Sequence, residues 1–259
     1  MLIAHISDFH VFSRAPETSL VRPDAAGAAR KVVADIAAFR PRIDAVMLTG
    51  DLTDGGSTED YALLRDILSP LSMPVFVVPG NHDKRPTLRA AFAGSIPFDD
   101  AEFLHYEAEV GGLRILALDT FVEGAVEGRL CRRRLEWIEE RLARHDRSPL
   151  TIIMHHPPFP TGITELDHMG LVEGADEFGR FVAAQAGPVR ILCGHVHRPV
   201  HGVWNNAFVA IAGSPAFQIE LELDPAAPEP GPLEEPYAYF IHHLGEGGEF
   251  SVHTRYVRI

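Results

Sequence analysis

The stretch LIAHISDFH, residues 2–10, places a short apolar run directly before a polar cluster that contains Asp8 and His10. Short apolar runs that end at Gly, Pro, Asn or Asp predict buried strands. Similar runs follow at residues 43–50, 73–80, 150–156 and 189–195. Apolar residues at helical spacing occupy the intervals between them, at residues 24–39, 57–68, 132–145 and 176–186. This alternation predicts an α/β fold with a largely parallel central sheet, whose ligands bind beyond the carboxyl ends of the strands.

Two further segments have the pattern of antiparallel hairpins. Residues 103–119 would turn at Gly111-Gly112, and residues 237–257 would turn at 245–248. These hairpins predict a second, more antiparallel sheet. Residues 213–236, whose later part is rich in Pro, Glu and Ala, are interpreted as an excursion that serves as a cap or in oligomerisation. We expect a single domain over residues 1–259.

The composition indicates a soluble globular protein, because 46% of the 259 residues are hydrophobic and 23% are charged. The 23 basic and 36 acidic residues give a formal net charge of −13. Such a charge repels a nucleic-acid polymer, so a small anionic substrate needs local positive charge. The chain has two cysteines, starts with a strand pattern instead of a leader, and has no apolar run long enough to span a membrane. We therefore expect a cytoplasmic protein with neither a nucleic-acid nor a membrane partner.

Polar clusters that follow the predicted strands contain residue types that bind metals. The chain has 14 histidines, and the clusters are SDFH at 7–10, GD at 50–51, GNHD at 80–83, HH at 155–156 and GHVH at 194–197. Residues two apart on an extended backbone share a face, so Asp8 and His10 could grip one ion. His195 and His197 form a second such pair, and the carboxylate of Asp51 could bridge two ions. Oxygen and nitrogen donors without thiolate suit Mn, Fe, Co or Zn.

The order of these clusters resembles that of the calcineurin-like metallophosphoesterases, in which D-x-H, G-D, G-N-H-D, H and G-H-x-H follow one another. The resemblance covers essentially the whole chain. Within the superfamily it is strongest to the bacterial class III cyclic nucleotide phosphodiesterases and the related glycerophosphodiesterases, on the segments HISDFH, GNHD, MHHPPFP and CGHVH. The resemblance implies an αββα sandwich of two sheets with a C-terminal β excursion.

The resemblance also implies a centre of two divalent or mixed-valence metal ions, drawn from Fe, Mn, Zn and Co. The first ion would be held by Asp8, His10, Asp51 and His197. The second ion would be held by Asp51, Asn81, His155 and His195. Asp51 would then bridge the ions, which together generate a hydroxide that attacks phosphorus. His82 is identified as the group that protonates or supports the leaving oxygen, and Asn81 is assigned to the catalytic set as well.

The doubled histidine in MHHPPFP, residues 154–160, leaves a choice of ligand. The family pattern assigns the ligand to His155. Adjacent side chains on an extended backbone point in opposite directions, so His156 is expected to support the ligands or to form part of the pocket wall. His5 is expected in the core or as a support of the metal ligands, and His201 at the surface.

Other branches of the superfamily fit less well. Protein serine/threonine phosphatases carry an arginine after the bridging aspartate and a glutamate in G-N-H-E, whereas this chain reads GDLTDGG and GNHD. Purple acid phosphatases use a tyrosine where this chain has Asp54. Lipid A pathway pyrophosphatases usually lack the histidine found here as His82, and DNA-repair nucleases add capping regions and basic surface.

We therefore expect a phosphodiesterase for 3′,5′- or 2′,3′-cyclic nucleotides or glycerophosphodiesters. The alternatives are a broad-specificity phosphomonoesterase and a non-catalytic metal-binding scaffold. Substrate selection is expected to lie in residues 12–24, 156–175 and 213–236. Residues 214–223 alternate apolar and charged side chains like an exposed strand that can pair, which favours a homodimer or a higher homo-oligomer.

Overall fold

The computed structural model describes residues 1–14, 20–144, 149–245 and 249–259. The strands are β1 (Leu2–Ile6), β2 (Ala45–Leu48), β3 (Val75–Val77), β4 (Tyr106–Val110), β5 (Leu113–Ala117), β6 (Gly128–Arg129), β7 (Leu150–Ile153), β8 (Leu171–Glu173), β9 (Val189–Cys193), β10 (Val200–Trp204), β11 (Ala207–Ile211), β12 (Gln218–Ile219), β13 (Pro232–Leu233), β14 (Ala238–Leu244) and β15 (Phe250–Tyr256). The helices are α1 (Ala25–Ala38), α2 (Thr58–Leu68), α3 (Arg85–Ala91), α4 (Arg132–Ala143), α5 (Thr164–Asp167) and α6 (Ala175–Ala183).

Side chains cap the first two helices at their N-termini. The Asp24 carboxylate accepts a hydrogen bond from the backbone N–H of Gly27 at 3.1 Å, at the start of α1. Ser57 and Asp60 form a complete capping box at the start of α2. Helix α6 ends at Ala183, three residues before the predicted end, and the predicted last residue of α4, His145, lies outside the described residues.

Two mixed sheets form the centre of the fold. The first sheet has the order β15-β14-β1-β2-β3, with β1, β2 and β3 parallel. The second has the order β10-β11-β9-β7-β5-β4, with β11, β9, β7 and β5 parallel. Residues 246–248 of the second predicted turn lie outside the described residues, but the strand pairs of both predicted hairpins are confirmed, as β4–β5 and β14–β15. The expectation that they form a separate antiparallel sheet is wrong, because each extends the edge of a different mixed sheet.

The larger buried cluster fills the space between the two sheets and also the layer between the first sheet and its helices. Ile3 and Val46 from the first sheet belong to the same buried cluster as Ile153 and Leu192 from the second. Helices α1 and α2 contribute to this cluster from beyond the first sheet. Helices α4 and α6 cover the outer face of the second sheet, where Phe178 packs in a second buried cluster. The layers therefore run helix, sheet, sheet, helix, which confirms the predicted αββα sandwich.

The excursion over residues 213–236 contains only a small sheet within the described residues. Gln218 and Ile219 of β12 pair with Leu233 and Pro232 of β13. The alternating segment 214–223 thus folds back on its own chain over two residues. None of the helices in the described part of the chain has the length and apolar character needed to span a bilayer.

Candidate metal centre

The metal-binding candidates lie in loops that follow strand ends, and their backbone is not extended as predicted. Strand β1 ends at Ile6, and the backbone then turns through left-handed conformations at Asp8 (φ 56°) and His10 (φ 44°). The same holds for His195 (φ 74°) and His197 (φ 58°) beyond β9. The members of each pair therefore converge because of left-handed turns instead of strand alternation. Such conformations cost about 1–3 kcal/mol each in a non-glycine residue and persist only where surrounding contacts impose them.

Backbone hydrogen bonds and close packing impose these turns. The N–H of His10 donates to the carbonyl oxygen of Asp51 at 2.9 Å, which ties the loop after β1 to the loop after β2. The N–H of His195 donates to the Asp8 carboxylate at 3.1 Å. A Cβ at Gly80 would overlap the Asp51 carboxylate, so only glycine allows the third loop to approach.

One donor group consists of Asp8, His10, Asp51 and His197. All four side chains are buried, and their ligand atoms lie within 4.8 Å of one another. Nε2 of His197 lies 3.3 Å from Oδ1 of Asp8 and 3.2 Å from Nε2 of His10. Nε2 of His10 lies 3.5 Å from Oδ2 of Asp51. The structure therefore brings together the whole set that the resemblance implies for the first ion.

A second donor group includes the same oxygen of Asp51. Oδ2 of Asp51 lies 3.4 Å from Nε2 of His155. Oδ1 of Asn81 lies 3.1 Å from Nε2 of His155 and 3.1 Å from Nδ1 of His195. Oδ2 of Asp51 thus lies within 3.5 Å of a histidine nitrogen in each group, as a ligand shared by two ions would.

Hydrogen bonds on the far side of three imidazoles determine which nitrogen faces the centre. Nδ1 of His155 donates to the carbonyl oxygen of Thr49 at 2.8 Å, and Nδ1 of His197 donates to that of Phe217 at 3.0 Å. Nδ1 of His10 lies 3.1 Å from the carboxylate of Asp54, to which it donates. In each neutral ring, Nε2 then presents an unprotonated lone pair to the centre, as metal-binding histidines require.

The chemistry of these donors fits metal ions. Two imidazole lone pairs, at Nε2 of His10 and His197, face each other at 3.2 Å beside carboxylate oxygens, and such acceptors repel one another unless a cation lies between them. Nε2 of His195 is buried without a hydrogen-bond partner among the described residues. Burial opposes protonation of His155, but the charge of Asp51 outweighs it and raises the pKa of His155 to about 9. A site that attracts a proton so strongly also attracts a metal cation.

The ligand atoms of His155, His156 and His195 lie within 4.8 Å of one another, but both ring nitrogens of His156 have other partners. Its Nε2 donates to the carbonyl oxygen of Val126 at 2.9 Å, so its Nδ1 accepts from the hydroxyl of Thr120 at 2.7 Å. Burial holds its pKa well below the ordinary value. Strand β7 ends at Ile153, so His155 and His156 do not lie on the extended backbone that we expected. Their different roles follow from their hydrogen bonds.

His82 lies beside the centre, with 37% of its side chain exposed. Its backbone N–H donates to Oδ1 of Asp51 at 2.9 Å, and its Nδ1 lies 3.2 Å from Oδ1 of Asp54. Burial disfavours the charged imidazole, but the hydrogen bond to Asp54 and the charge of Asp51 raise the pKa of His82 to about 9. Asp54 therefore contacts both His10 and His82, a role that the sequence analysis missed.

Asp83 is a second functional residue that the sequence analysis missed. Its buried carboxylate accepts hydrogen bonds from the hydroxyl of Tyr61 at 2.6 Å, the N–H of Gly80 at 2.9 Å and the N–H of Leu52 at 3.1 Å. Burial and the charge of Asp51 raise its pKa to about 6. These contacts fix the loop that carries Asn81 against the loop that carries Asp51. The GNHD motif contained this residue but gave no separate signal of its role.

The centre opens into a cavity of about 480 Å³. Asp51, Asn81, His82, His195 and His197 form its floor. The three segments expected to select substrates all contribute to its wall, with Leu20, Glu165, Leu166, Met169, Phe217, Ile219 and residues 229–232. Neither lysine nor arginine occurs among the described residues that line the cavity. Positive charge at the floor would therefore come from bound cations and from the imidazole of His82, whose pKa is raised to about 9.

The two remaining histidine expectations are confirmed. His5 is fully buried, and its Nε2 lies 3.1 Å from the carbonyl oxygen of Cys193. His201 is exposed on β10, with its ring centroid 4.4 Å from that of Phe240.

Comparison with known proteins agrees with this geometry. Residues 1–199 match the sequence model of the calcineurin-like phosphoesterase family. A probable glycerophosphodiester phosphodiesterase of Arcobacter nitrofigilis is 30% identical over 257 residues, which cover 99% of this chain and 93% of that protein. A probable cyclic nucleotide phosphodiesterase of Rhodopseudomonas palustris is 35% identical over 237 residues, which cover 85% of each chain.

Solved structures show the same fold at low sequence identity. A dimetal phosphatase from Danio rerio has a TM-score of 0.76 at 16% identity, with 100% of this chain and 96% of that chain covered. A purple acid phosphatase from yellow lupin seeds has a TM-score of 0.68 at 16% identity, with 93% of this chain and 48% of that chain covered.

A sandwich of two mixed sheets with buried aspartate and histidine donors at its strand ends defines a metallophosphoesterase. The chain belongs to the calcineurin-like phosphoesterase family, and it is a phosphoester hydrolase with a site able to bind metals.

Proposed function

We propose that the protein hydrolyses small phosphodiesters at a centre of two metal ions. The observation that carries this proposal is the position of Asp51, whose Oδ2 lies 3.5 Å from Nε2 of His10 and 3.4 Å from Nε2 of His155. The same carboxylate oxygen thus lies near one histidine nitrogen of each donor group. Relatives whose names specify glycerophosphodiesters and cyclic nucleotides support the choice of diesters.

The two donor groups would hold one ion each, drawn from Fe, Mn, Zn and Co. The first group comprises Asp8, His10, Asp51 and His197, and the second comprises Asp51, Asn81, His155 and His195. Two such ions would polarise the phosphoryl oxygens and provide a nucleophile near neutral pH. The side chains themselves must be held rigidly for this chemistry, and their outer hydrogen bonds to Thr49, Phe217 and Asp54 do so.

His82 would assist departure of the leaving alcohol. Its ring lines the cavity beside Asp51 and Asn81 and is exposed enough to reach a bound ester. The hydrogen bond between Nδ1 and Asp54 leaves Nε2 free to donate to the leaving oxygen. Asn81 would act with it by fixing the loop on which His82 lies.

The cavity suits a small diester with a neutral or weakly polar alcohol. A volume of about 480 Å³ is within the usual range of small-molecule sites, which is about 300–1,000 Å³. Leu166, Met169, Phe217 and Ile219 offer apolar contact, while Glu165 and Glu229 would repel further negative charge. Such a wall selects against nucleic-acid polymers, which is consistent with the formal charge of −13.

The excursion over residues 213–236 would form a lid-like cap over this cavity. Phe217 and Ile219 reach the wall from its first part, and residues 229–232 reach it from its second part. His156 would support the opposite wall through Val126. A cytoplasmic location and assembly as a homodimer or higher homo-oligomer remain part of the proposal.

The experiment compares bis-p-nitrophenyl phosphate with p-nitrophenyl phosphate, and cyclic nucleotides with glycerophosphodiesters, each with Mn, Fe, Co and Zn. The proposal predicts a higher kcat/KM for diesters than for monoesters. Asp51→Asn should abolish turnover, while Asp66→Asn, at an exposed ion pair with Arg30, should not. A preference for monoesters would establish the phosphomonoesterase alternative. Two bound ions without turnover of any ester would establish the non-catalytic scaffold.

A further inference from the structure

A group of buried polar atoms lies between the two sheets, away from the metal centre. Arg190 is 5% exposed, Thr151 is 1% exposed and His242 is 1% exposed. Within the described residues, no hydrogen-bond partner is found for Nε and Nη1 of Arg190, Oγ1 of Thr151, or Nδ1 and Nε2 of His242. Buried polar atoms are nearly always paired, so this concentration of unpaired atoms indicates a missing ligand or solvent.

These side chains face the same layer. Thr151 and Arg190 are direct neighbours on the parallel strands β7 and β9, so their side chains emerge on one face of the second sheet. Two residues further along these strands, Ile153 and Leu192 lie in the core between the sheets. Arg190 lies on β9 five residues before His195, which belongs to the loop beyond the end of that strand at Cys193.

His242 approaches from the first sheet. It lies on β14, and the ring of Phe250 on β15 lies near both His242 and Arg190. The Phe250 centroid is 5.8 Å from that of His242 and 4.2 Å from Cζ of Arg190. Burial holds the pKa of His242 well below its ordinary value, and the proximity of His5, His201 and Arg190 lowers it further.

The charges in this layer are unbalanced. Arg190 makes no ion pair with any residue in the described ranges, although it remains protonated under ordinary conditions. His5 lies with its ring centroid 5.6 Å from that of His242. Its Nε2 donates to the carbonyl oxygen of Cys193, so its unpaired Nδ1 has no proton and cannot serve as a donor to an anion. An unpaired buried cation is costly, and the Phe250 ring offsets only part of that cost.

We propose that Arg190, Thr151 and His242 bind a small inorganic anion, of the size of a halide, between the two sheets. Two guanidinium N–H groups, one hydroxyl and one imidazole N–H are the donors that such an anion needs. The anion would neutralise Arg190 and satisfy the atoms that lack partners. The site does not depend on the metal ions or on the hydrolytic reaction.

A crystal of the metal-loaded protein grown with sodium bromide tests the site directly. We expect an anomalous bromide peak within hydrogen-bond distance of Arg190 Nη1 or Nε and of Thr151 Oγ1. Ordered water at that position, or a layer with no density there, would overturn the proposal. Bromide at the metal centre would be recognised by its separate position.

Thermal unfolding in solution tests the same site without crystals. If the chloride concentration is about ten times the dissociation constant, replacing gluconate by chloride at constant ionic strength should raise the midpoint by about 3–5 °C. Arg190→Met should lose this response. Arg114→Met is the matched control, because Arg114 lies in the same sheet but already pairs with Glu107, and it should keep the response.

A chloride response in Arg190→Met equal to that of the parent would contradict the proposal, because the ion would then act elsewhere. If Arg190→Met does not fold, Thr151→Val provides the second test, since it removes one donor and preserves the charge. Its chloride response should be weaker than that of the parent, and an equal response would count against the site.

Discussion

The rings of His155 and His156 are adjacent in the chain yet lie at 82° to each other, with centroids 4.8 Å apart. Nδ1 of His155 is fixed by Thr49, which leaves Nε2 to face Asp51 and Asn81. Both nitrogens of His156 are already engaged. The doubled histidine therefore combines one metal-binding candidate with one residue that holds the neighbouring loop.

Alanine substitutions should separate these two roles. His155→Ala should remove the second ion and lower kcat by more than about 100-fold, beyond the 10–100-fold typical of losing an outer hydrogen-bond partner. His156→Ala should keep both ions but destabilise the fold by about 2–4 kcal/mol, because it empties a buried site and leaves the Val126 carbonyl unpaired. Metal analysis and urea unfolding measure the two effects. Loss of metal in His156→Ala with metal retained in His155→Ala would reverse the assignment.

Asp54 should act through the two histidines that it contacts. Asp54→Asn keeps the size of the side chain but removes the negative charge beside His10 and His82. We expect metal affinity or kcat/KM to fall by about 10–100-fold. Asp66→Asn, at an exposed ion pair, is the control and should change neither. Parent-like metal affinity and kcat/KM in Asp54→Asn would show that this carboxylate does not orient the site.

His82 should matter most for esters with poor leaving groups. His82→Ala should slow a diester with an alkyl leaving group by about 100-fold or more, but bis-p-nitrophenyl phosphate by less than about tenfold, because nitrophenolate departs without a proton. Lys84→Ala, at an exposed residue of the same loop, serves as the control. An equal loss of rate on both substrates would mean that His82 holds other residues of the site in place and does not assist the leaving group.

Tyr61 should stabilise the loops of the centre through Asp83. Tyr61→Phe removes a hydrogen bond of 2.6 Å to a buried carboxylate and should cost about 1.5–3 kcal/mol of unfolding free energy. Tyr106→Phe removes a bond of 2.8 Å from an equally buried hydroxyl to the carbonyl of Val77 and should cost about 0.5–1.5 kcal/mol.

A metal titration of Tyr61→Phe and Tyr106→Phe provides a second comparison of these two variants. Tyr61→Phe should also weaken metal binding, because Asp83 holds the loop that carries Asn81. Tyr106→Phe should leave metal binding unchanged. Equal metal affinity in the two variants would limit Asp83 to a role in stability.

The sandwich was predictable because its central strands are predominantly apolar. Leu2–Ile6 and Ala45–Leu48 are buried on both faces, and such strands give continuous apolar runs. The pair β10–β11 was missed, since residues of β10 such as His201 and Val203 are exposed and the strand begins soon after a polar cluster. The two hairpins were recognised, but which sheet each one extends depends on tertiary pairing that short-range patterns do not contain.

The candidate metal donors were predictable because each follows a strand end and has a distinctive side chain. The groups that orient these donors through hydrogen bonds could not be predicted from the sequence in the same way. Thr49, Val126 and Phe217 contribute backbone carbonyl oxygens, which leave no mark in the residue type. The left-handed backbone at Asp8 and His195 was also hidden, because these residue types do not demand it as glycine would.

The position of Asp51 between two ions is tested most directly by anomalous diffraction from crystals of the manganese-loaded protein. The structure predicts two manganese peaks, about 3.5–4 Å apart, with an Asp51 carboxylate oxygen contacting both. Asp51→Asn should lose at least one peak together with diester hydrolysis. A single peak in an active protein, or two peaks that do not share Asp51, would contradict the proposed centre.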